Sequence, residues 1–158
     1  MFSMEQVTKS DADILCASHQ GFIAEIDQVG LNYWLKSQLI EKYTPDRQPA
    51  SLAKAGVPWG NLFWLGAVTQ EHHDDHVNGN WLWPHANVAV EWFDWGDNEP
   101  NDFHSQNCLT FMEYRNVIFQ DFRDYFWNDS DCKEDVAHYI CVKECADCED
   151  PTSPPPAV

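Results

Sequence analysis

Two short stretches concentrate side chains able to do chemistry. Trp95-Gly-Asp-Asn-Glu-Pro-Asn-Asp102 and Trp127-Asn-Asp-Ser-Asp-Cys132 both place Glu, Asn and Asp in polar loops anchored by tryptophan and cysteine. Carboxylate and amide oxygens are hard donors, and Ca²⁺ takes six to eight of them. No imidazole or thiolate is required, which disfavours zinc and copper at this point. Glu99 and Asn101 flank Pro100. A cis Glu99–Pro100 bond, a conformation accessible almost solely to proline, would let both side chains address one point. The same residues also read as Asx-rich turns that cap strands. Spacing alone leaves both readings open.

Glu71-His-His-Asp-Asp-His76 is a second candidate. His72 and His76 share a face if the stretch is helical. There is no HExxH pattern, and Glu71 lies on the wrong side for a general base. A solvated acidic loop is the plainer reading; an accessory Ca²⁺ or Zn²⁺ site is the sharper one. No nucleophile, base and orienting group come together along the chain. A metal-assisted hydrolase built on His72, His73 and His76 is therefore the least supported class, and the expectation is that the chain is not an enzyme. Asn128-Asp-Ser130 is a formal N-glycosylation sequon, expected to stay unmodified because Asn128 is held in a folded loop next to Cys132.

These stretches must be positioned by a chain of 158 residues, enough for one domain with its own core. The net charge of −17 repels nucleic-acid backbones and anionic membranes, so neither is an expected partner. No apolar run approaches the roughly 20 residues of a membrane span. Eight tryptophans and 44% hydrophobic residues exclude wholesale disorder. Thr8 with Asp11 forms a capping-box pattern, followed by Ala12, Leu15, Cys16 and His19 on one helical face. Gly21 ends that helix, and Phe22 to Ile26 is extended. Asp27 is a plausible cap for a second helix with the apolar stripe Leu31, Trp34, Leu35 and Leu39. Prolines and glycines between Tyr43 and Gly60 mark a loop. The period then becomes extended, with strands expected at Leu62–Ala67, Trp81–Trp83, Val88–Trp92, Leu109–Met112, Asp124–Trp127 and His138–Val142. Trp64, Trp81, Trp83, Trp92 and Trp95 read as core rather than exposed stacking platforms. Helices followed by strands argue for an α+β domain over residues 1–144. Residues 145–158 read as an exposed acidic, proline-rich tail.

Six cysteines in so small a chain point to an oxidising, extracellular setting. They allow fifteen pairings. A Cys16–Cys141 bridge would tie the domain's ends together, closing a loop worth about 5 kcal/mol in the chain-entropy model. Cys108 and Cys132 bracket a loop-rich stretch. Cys145-Ala-Asp-Cys148 lacks the context of a redox motif and the second pair of a zinc site, which leaves a tail disulfide or an external bridge. Glu5, Lys9, Asp11 and Asp13 break Met1 to Leu15 as a signal peptide.

Glu99-Pro100-Asn101, then Cys108, Trp127-Asn128-Asp129, Cys132 and Cys141, resembles the C-type lectin domain. Gly21 to Ile26, Phe63-Trp-Leu-Gly66, Trp81-Leu-Trp83 and Trp92-Phe-Asp-Trp95 agree with further landmarks of that family. The resemblance runs from about Phe2 to Val142. It implies an α+β fold, with two helices packed on two small antiparallel sheets and a long irregular calcium-binding loop region. It implies the bridges Cys16–Cys141 and Cys108–Cys132. It also implies a strand before the first helix, of which only Met1 to Ser3 is expected here, with a secretory signal upstream.

By position, the resemblance assigns one Ca²⁺ to Glu99, Asn101, Gln106, Asn128 and Asp129, with the Asp129 carbonyl as an additional oxygen. The same side chains would bind a sugar, whose vicinal hydroxyls complete the ion's coordination. Glu-Pro-Asn resembles mannose-type members, which take mannose, N-acetylglucosamine, glucose and fucose. Gln106 departs from the family, where sugar-binding members usually have Glu; the amide removes one negative charge. The expected partners are glycans or glycoproteins with terminal mannose-type sugars, engaged by a secreted protein for which an oligomer is one option, with innate immunity as the analogous role. The runner-up is a lectin-like domain that binds protein, lipid or ice. Asp102 is the position most often shared with a second calcium site.

Overall fold

The computed structural model describes residues 1–43, 59–69, 80–101, 106–115 and 123–144. The elements run α1 (Lys9–Ser18), β1 (Phe22–Ile23), α2 (Val29–Lys42), β2 (Trp59–Thr69), β3 (Trp81–Trp83), β4 (Val88–Ala89), β5 (Cys108–Arg115), β6 (Arg123–Ser130), β7 (His138–Tyr139) and β8 (Cys141–Val142). The main sheet has the order β4-β3-β2-β5-β6, with β7 pairing parallel to β2. β1 and β8 form a separate antiparallel pair. The expected architecture of helices packed on two antiparallel sheets is present, with β7 as a parallel addition.

Alternation along β2 builds two cores. Phe63, Leu65 and Ala67 face one way, where Leu35 and Leu39 of α2 meet Phe111, Tyr125 and Trp127. Leu62, Trp64 and Val68 face the other way, where Ala12 and Cys16 of α1 meet Tyr139 and Cys108. Successive strand residues point to opposite faces, so one strand can serve two helices. Gly66 is required where β2 crosses residues 23–25. A Cβ there would meet Glu25 Cγ at 2.8 Å and Ile23 O at 3.1 Å.

Thr8 caps α1 by accepting the Asp11 N–H, as expected. Met1 to Ser3 lies antiparallel to Tyr139 to Cys141 through a single bridge at Phe2 and Ile140, where the resemblance implied a strand before the first helix. Cys16–Cys141 and Cys108–Cys132 are both bonded, the first across a sequence separation of 125. Cys145, Cys148 and the tail lie outside the described residues.

Several expectations are corrected. The α2 cap is Gln28, not Asp27, and it makes no side-chain cap bond. Trp34 is 54% exposed. A Leu31-Leu35-Leu39 stripe advances around the helix at each step, toward Asn32 and Lys36 and away from Trp34. Both of those polar residues are buried. His19 is exposed and lies past the end of α1. Only Val88–Ala89 of the expected Val88–Trp92 strand is extended in the sheet. The last strand is interrupted at Ile140. Of the five tryptophans read as core, Trp64, Trp81 and Trp83 are buried, while Trp92 and Trp95 are half-buried and pack against the core.

Candidate functional site

The site forms at the edge of β6 away from β5. Trp127 bridges Trp95 across this edge, with Trp127 N–H donating to Asp94 O and Gly96 N–H to Trp127 O. The incoming segment then turns. Glu99 N–H donates to Gly96 O, and Asn98 between them adopts a left-handed φ of 65°. Asn tolerates this conformation better than most residues. The Glu99–Pro100 bond is cis.

The sequence reading put Asn128 and Asp129 in a loop, but the structure places both inside β6. The register fixes their faces: Asn128 opposes Thr110 and Asp129 opposes Leu109. Asn128 therefore shares a face with Ser130, while Asp129 points with Trp127 toward the α2 side. Side chains on opposite faces can still meet one ion at a sheet edge, and the segment that bridges Trp127 continues to Asn101, whose N–H reaches Asp129.

Hydrogen bonds draw the set together. Asn101 N–H donates to Asp129 Oδ1 at 3.1 Å, and Asn101 Nδ2 donates to Glu99 Oε2 at 2.6 Å. Asn128 Nδ2 donates to Asp129 O at 2.6 Å, Ser130 Oγ at 2.9 Å and Thr110 Oγ1 at 3.3 Å. Asp129 is 1% exposed and Asn128 8%. Glu99, Asn101, Gln106 and Asn128 line one cavity of about 530 Å³, together with Ser130, Asp135, Leu62 and Met112.

The electrostatics are those of two carboxylates in one place. Burial, then a side-chain hydrogen bond and charge repulsion from Asp129, push the Glu99 carboxyl up to about 8. A carboxyl raised that far keeps its proton near neutrality, and a divalent cation would replace that proton.

The donor set fits a hard cation. Both asparagines turn their amide nitrogens toward protein acceptors, the orientation in which the amide oxygens serve as ligands. Among the described residues no group of three or more His, Cys, Asp and Glu side chains could hold a metal. Two carboxylates and three amides are instead an oxygen set suited to Ca²⁺ and poorly suited to zinc.

Trp127 is anchored from behind. Its indole N–H donates to Asn32 Oδ1 at 3.0 Å, and Asn32 Nδ2 donates to Asp94 Oδ2 at 2.7 Å. Lys36 pairs with Asp94 at 2.6 Å and lies over the Phe126 ring. This network holds β6 and residue 94 against α2. Sequence reasoning missed it, although two polar residues beside the leucine stripe were the available signal. It also missed Ser130, legible only once Asn128 is known to lie on a strand. Asp102 and the stretch from Glu71 to His76 lie outside the described residues.

Comparisons with known proteins identify the family and the fold. A model of the family described as Lectin C-type domain matches residues 5–143. The Perlucin-like protein of Mytilus galloprovincialis is 24% identical over 140 residues, spanning 89% of this chain and 72% of that protein. The C-type lectin domain of murine dendritic cell inhibitory receptor 2, solved in complex with N-glycan, superposes with a TM-score of 0.60 at 14% identity, covering 91% of this chain and 89% of that one. Herring type II antifreeze protein superposes with a TM-score of 0.56 at 19% identity, covering 89% and 86%. At these identities the structural likenesses establish the fold alone.

Proposed function

Because the chain belongs to the C-type lectin domain family, whose members bind rather than catalyse, we propose that it is a calcium-dependent carbohydrate-binding module of the mannose type. One observation carries this reading: Glu99, Asn101, Gln106 and Asn128 line a single cavity, and Asp129 is hydrogen-bonded to both Glu99 and Asn101. A bound Ca²⁺ would supply coordination positions that two vicinal sugar hydroxyls complete. Glu99 and Asp129 would carry the negative charge of the set, with Asn101, Gln106 and Asn128 as neutral oxygen donors. Glu99 and the two asparagines also supply acceptors and donors for the same hydroxyls, and their order, acid before amide around Pro100, matches equatorial 3- and 4-hydroxyls. The two disulfides support an oxidising, extracellular setting as part of this reading. No helix among the described residues is long and apolar enough to cross a membrane. Terminal mannose-type sugars on glycans or glycoproteins are the partners, with innate recognition the role by analogy.

The test is retention on mannose–agarose in millimolar calcium and elution by EDTA. Retention that survives EDTA, or no retention at all, sinks the reading. The second reading, binding of a protein, lipid or ice surface, draws on Gln106, which lowers the charge of the set.

Gln106→Glu adds a third carboxylate to the proposed ligand set of Glu99 and Asp129. Charge count is a main determinant of calcium affinity. The substitution is expected to tighten calcium binding by about tenfold and mannose binding with it. Calorimetric titration checks this, and unchanged calcium affinity would mean that Gln106 takes no part in the ion's set.

A further inference from the structure

One carboxylate in the cavity belongs to none of the ligand positions. Asp135 lies three residues past Cys132, in the turn between β6 and β7, and lines the cavity with Glu99, Asn101 and Asn128. Its Oδ2 accepts the Asp131 N–H at 2.8 Å, and its own N–H donates to Asp131 O at 3.2 Å. These two bonds fix the carboxylate on the cavity wall. Among the described residues no lysine, arginine or histidine pairs with it, and its second oxygen takes part in no bond.

The charge balance singles this group out. A divalent cation cancels the two charges of Glu99 and Asp129. Among the described residues that line the cavity, Asp135 is then the uncompensated charge. A carboxylate offers only acceptors, so it takes a hydroxyl or, more strongly, an ammonium, and it repels an anion. The chain's net charge of −17 biases the approach of ligands in the same direction.

We propose that Asp135 is a specificity-determining residue that favours saccharides bearing a free amine over their N-acetylated or anionic counterparts. The proposal rests on reading the cavity as a calcium-dependent saccharide site. The amine pairs with the Asp135 carboxylate while the vicinal hydroxyls are held at Glu99 and the asparagines.

Competition against immobilised mannose in millimolar calcium tests it, with glucosamine, N-acetylglucosamine and glucuronic acid as probes because all three share the same 3- and 4-hydroxyls. The wild-type chain should prefer glucosamine over N-acetylglucosamine by about fivefold, with glucuronic acid weakest. About 0.5 M salt should shrink that preference, since the pair is partly exposed. Asp135→Asn keeps an acceptor for the Asp131 N–H, so the turn should persist. It should bring the ratio close to one while mannose and calcium affinities change less than about twofold. Asp135→Ala should do the same. A wild-type ratio near one, or a ratio that survives both substitutions, overturns the proposal. Wild-type protein that binds calcium but no saccharide overturns the underlying site reading, and this inference falls with it.

Discussion

Asp129→Asn is expected to abolish calcium-dependent binding. Asp129 is 1% exposed, its Oδ1 accepts the Asn101 N–H, and its carboxylate meets that of Glu99. The candidate set contains two formal charges, and the substitution removes one. Ligand charge is a principal determinant of calcium affinity, so a loss of about 100-fold or more is expected. The fold should survive, because the asparagine oxygen can still accept from Asn101. It should even gain stability without calcium, since two carboxylates no longer compete in one place. Calcium titration by calorimetry, paired with thermal melts in EDTA, separates the two effects. A variant whose calcium affinity stays within about threefold of wild type would place the ion elsewhere. Comparable loss in Glu99→Gln would confirm that the two carboxylates act as a pair.

Much of the scaffold was legible because local chemistry and tertiary packing agree there. Thr8 caps the first helix through Asp11, the alternation along Phe63-Trp-Leu-Gly66 divides cleanly between two cores, and both bridges implied by the resemblance are formed. The five ligand positions came from the family resemblance, since spacing alone left turns and ligands equally open, and the structure gathers four on one cavity with Asp129 bonded alongside. The failures have a common origin in tertiary context. A run such as Asn128-Asp-Ser130 has turn-forming composition, yet pairing with Thr110 and Cys108 holds it as strand. Trp34 carries the hydrophobic signal of a core residue but lies off the face that Leu31, Leu35 and Leu39 present, and Asn32 and Lys36 are buried instead. Their burial depends on Trp127 and Asp94, which lie about 60 to 95 residues away. Asp135 carried no local signal, because it reaches the cavity only through the turn that follows Cys132.

Calcium affinity is expected to rise steeply with pH up to about 8. Burial and Asp129 hold the Glu99 carboxyl at about 8 in the calcium-free protein, against an ordinary value of 4.5. At neutral pH the ion must therefore displace a proton. Below pH 8 each unit of acidification should cost about tenfold in affinity, so moving from pH 8 to pH 6 weakens binding by about fiftyfold. The stability sign is opposite for the free protein. A carboxyl whose folded value is raised is neutral in both states below about 4.5, and it disfavours the fold as pH climbs from there through 8. The calcium-free domain should lose melting temperature across that window, and calcium, bound only by the folded state, should restore it. The gap between melts in EDTA and in millimolar calcium is thus expected to widen from pH 6 to pH 8. Magnesium should open a much smaller gap, because it dehydrates reluctantly and demands octahedral geometry. Proton release on calcium binding, read from calorimetry in buffers of different ionisation enthalpy, should approach one at pH 7. A release near zero, with a melt gap independent of pH, would show that Glu99 is already ionised in the calcium-free protein.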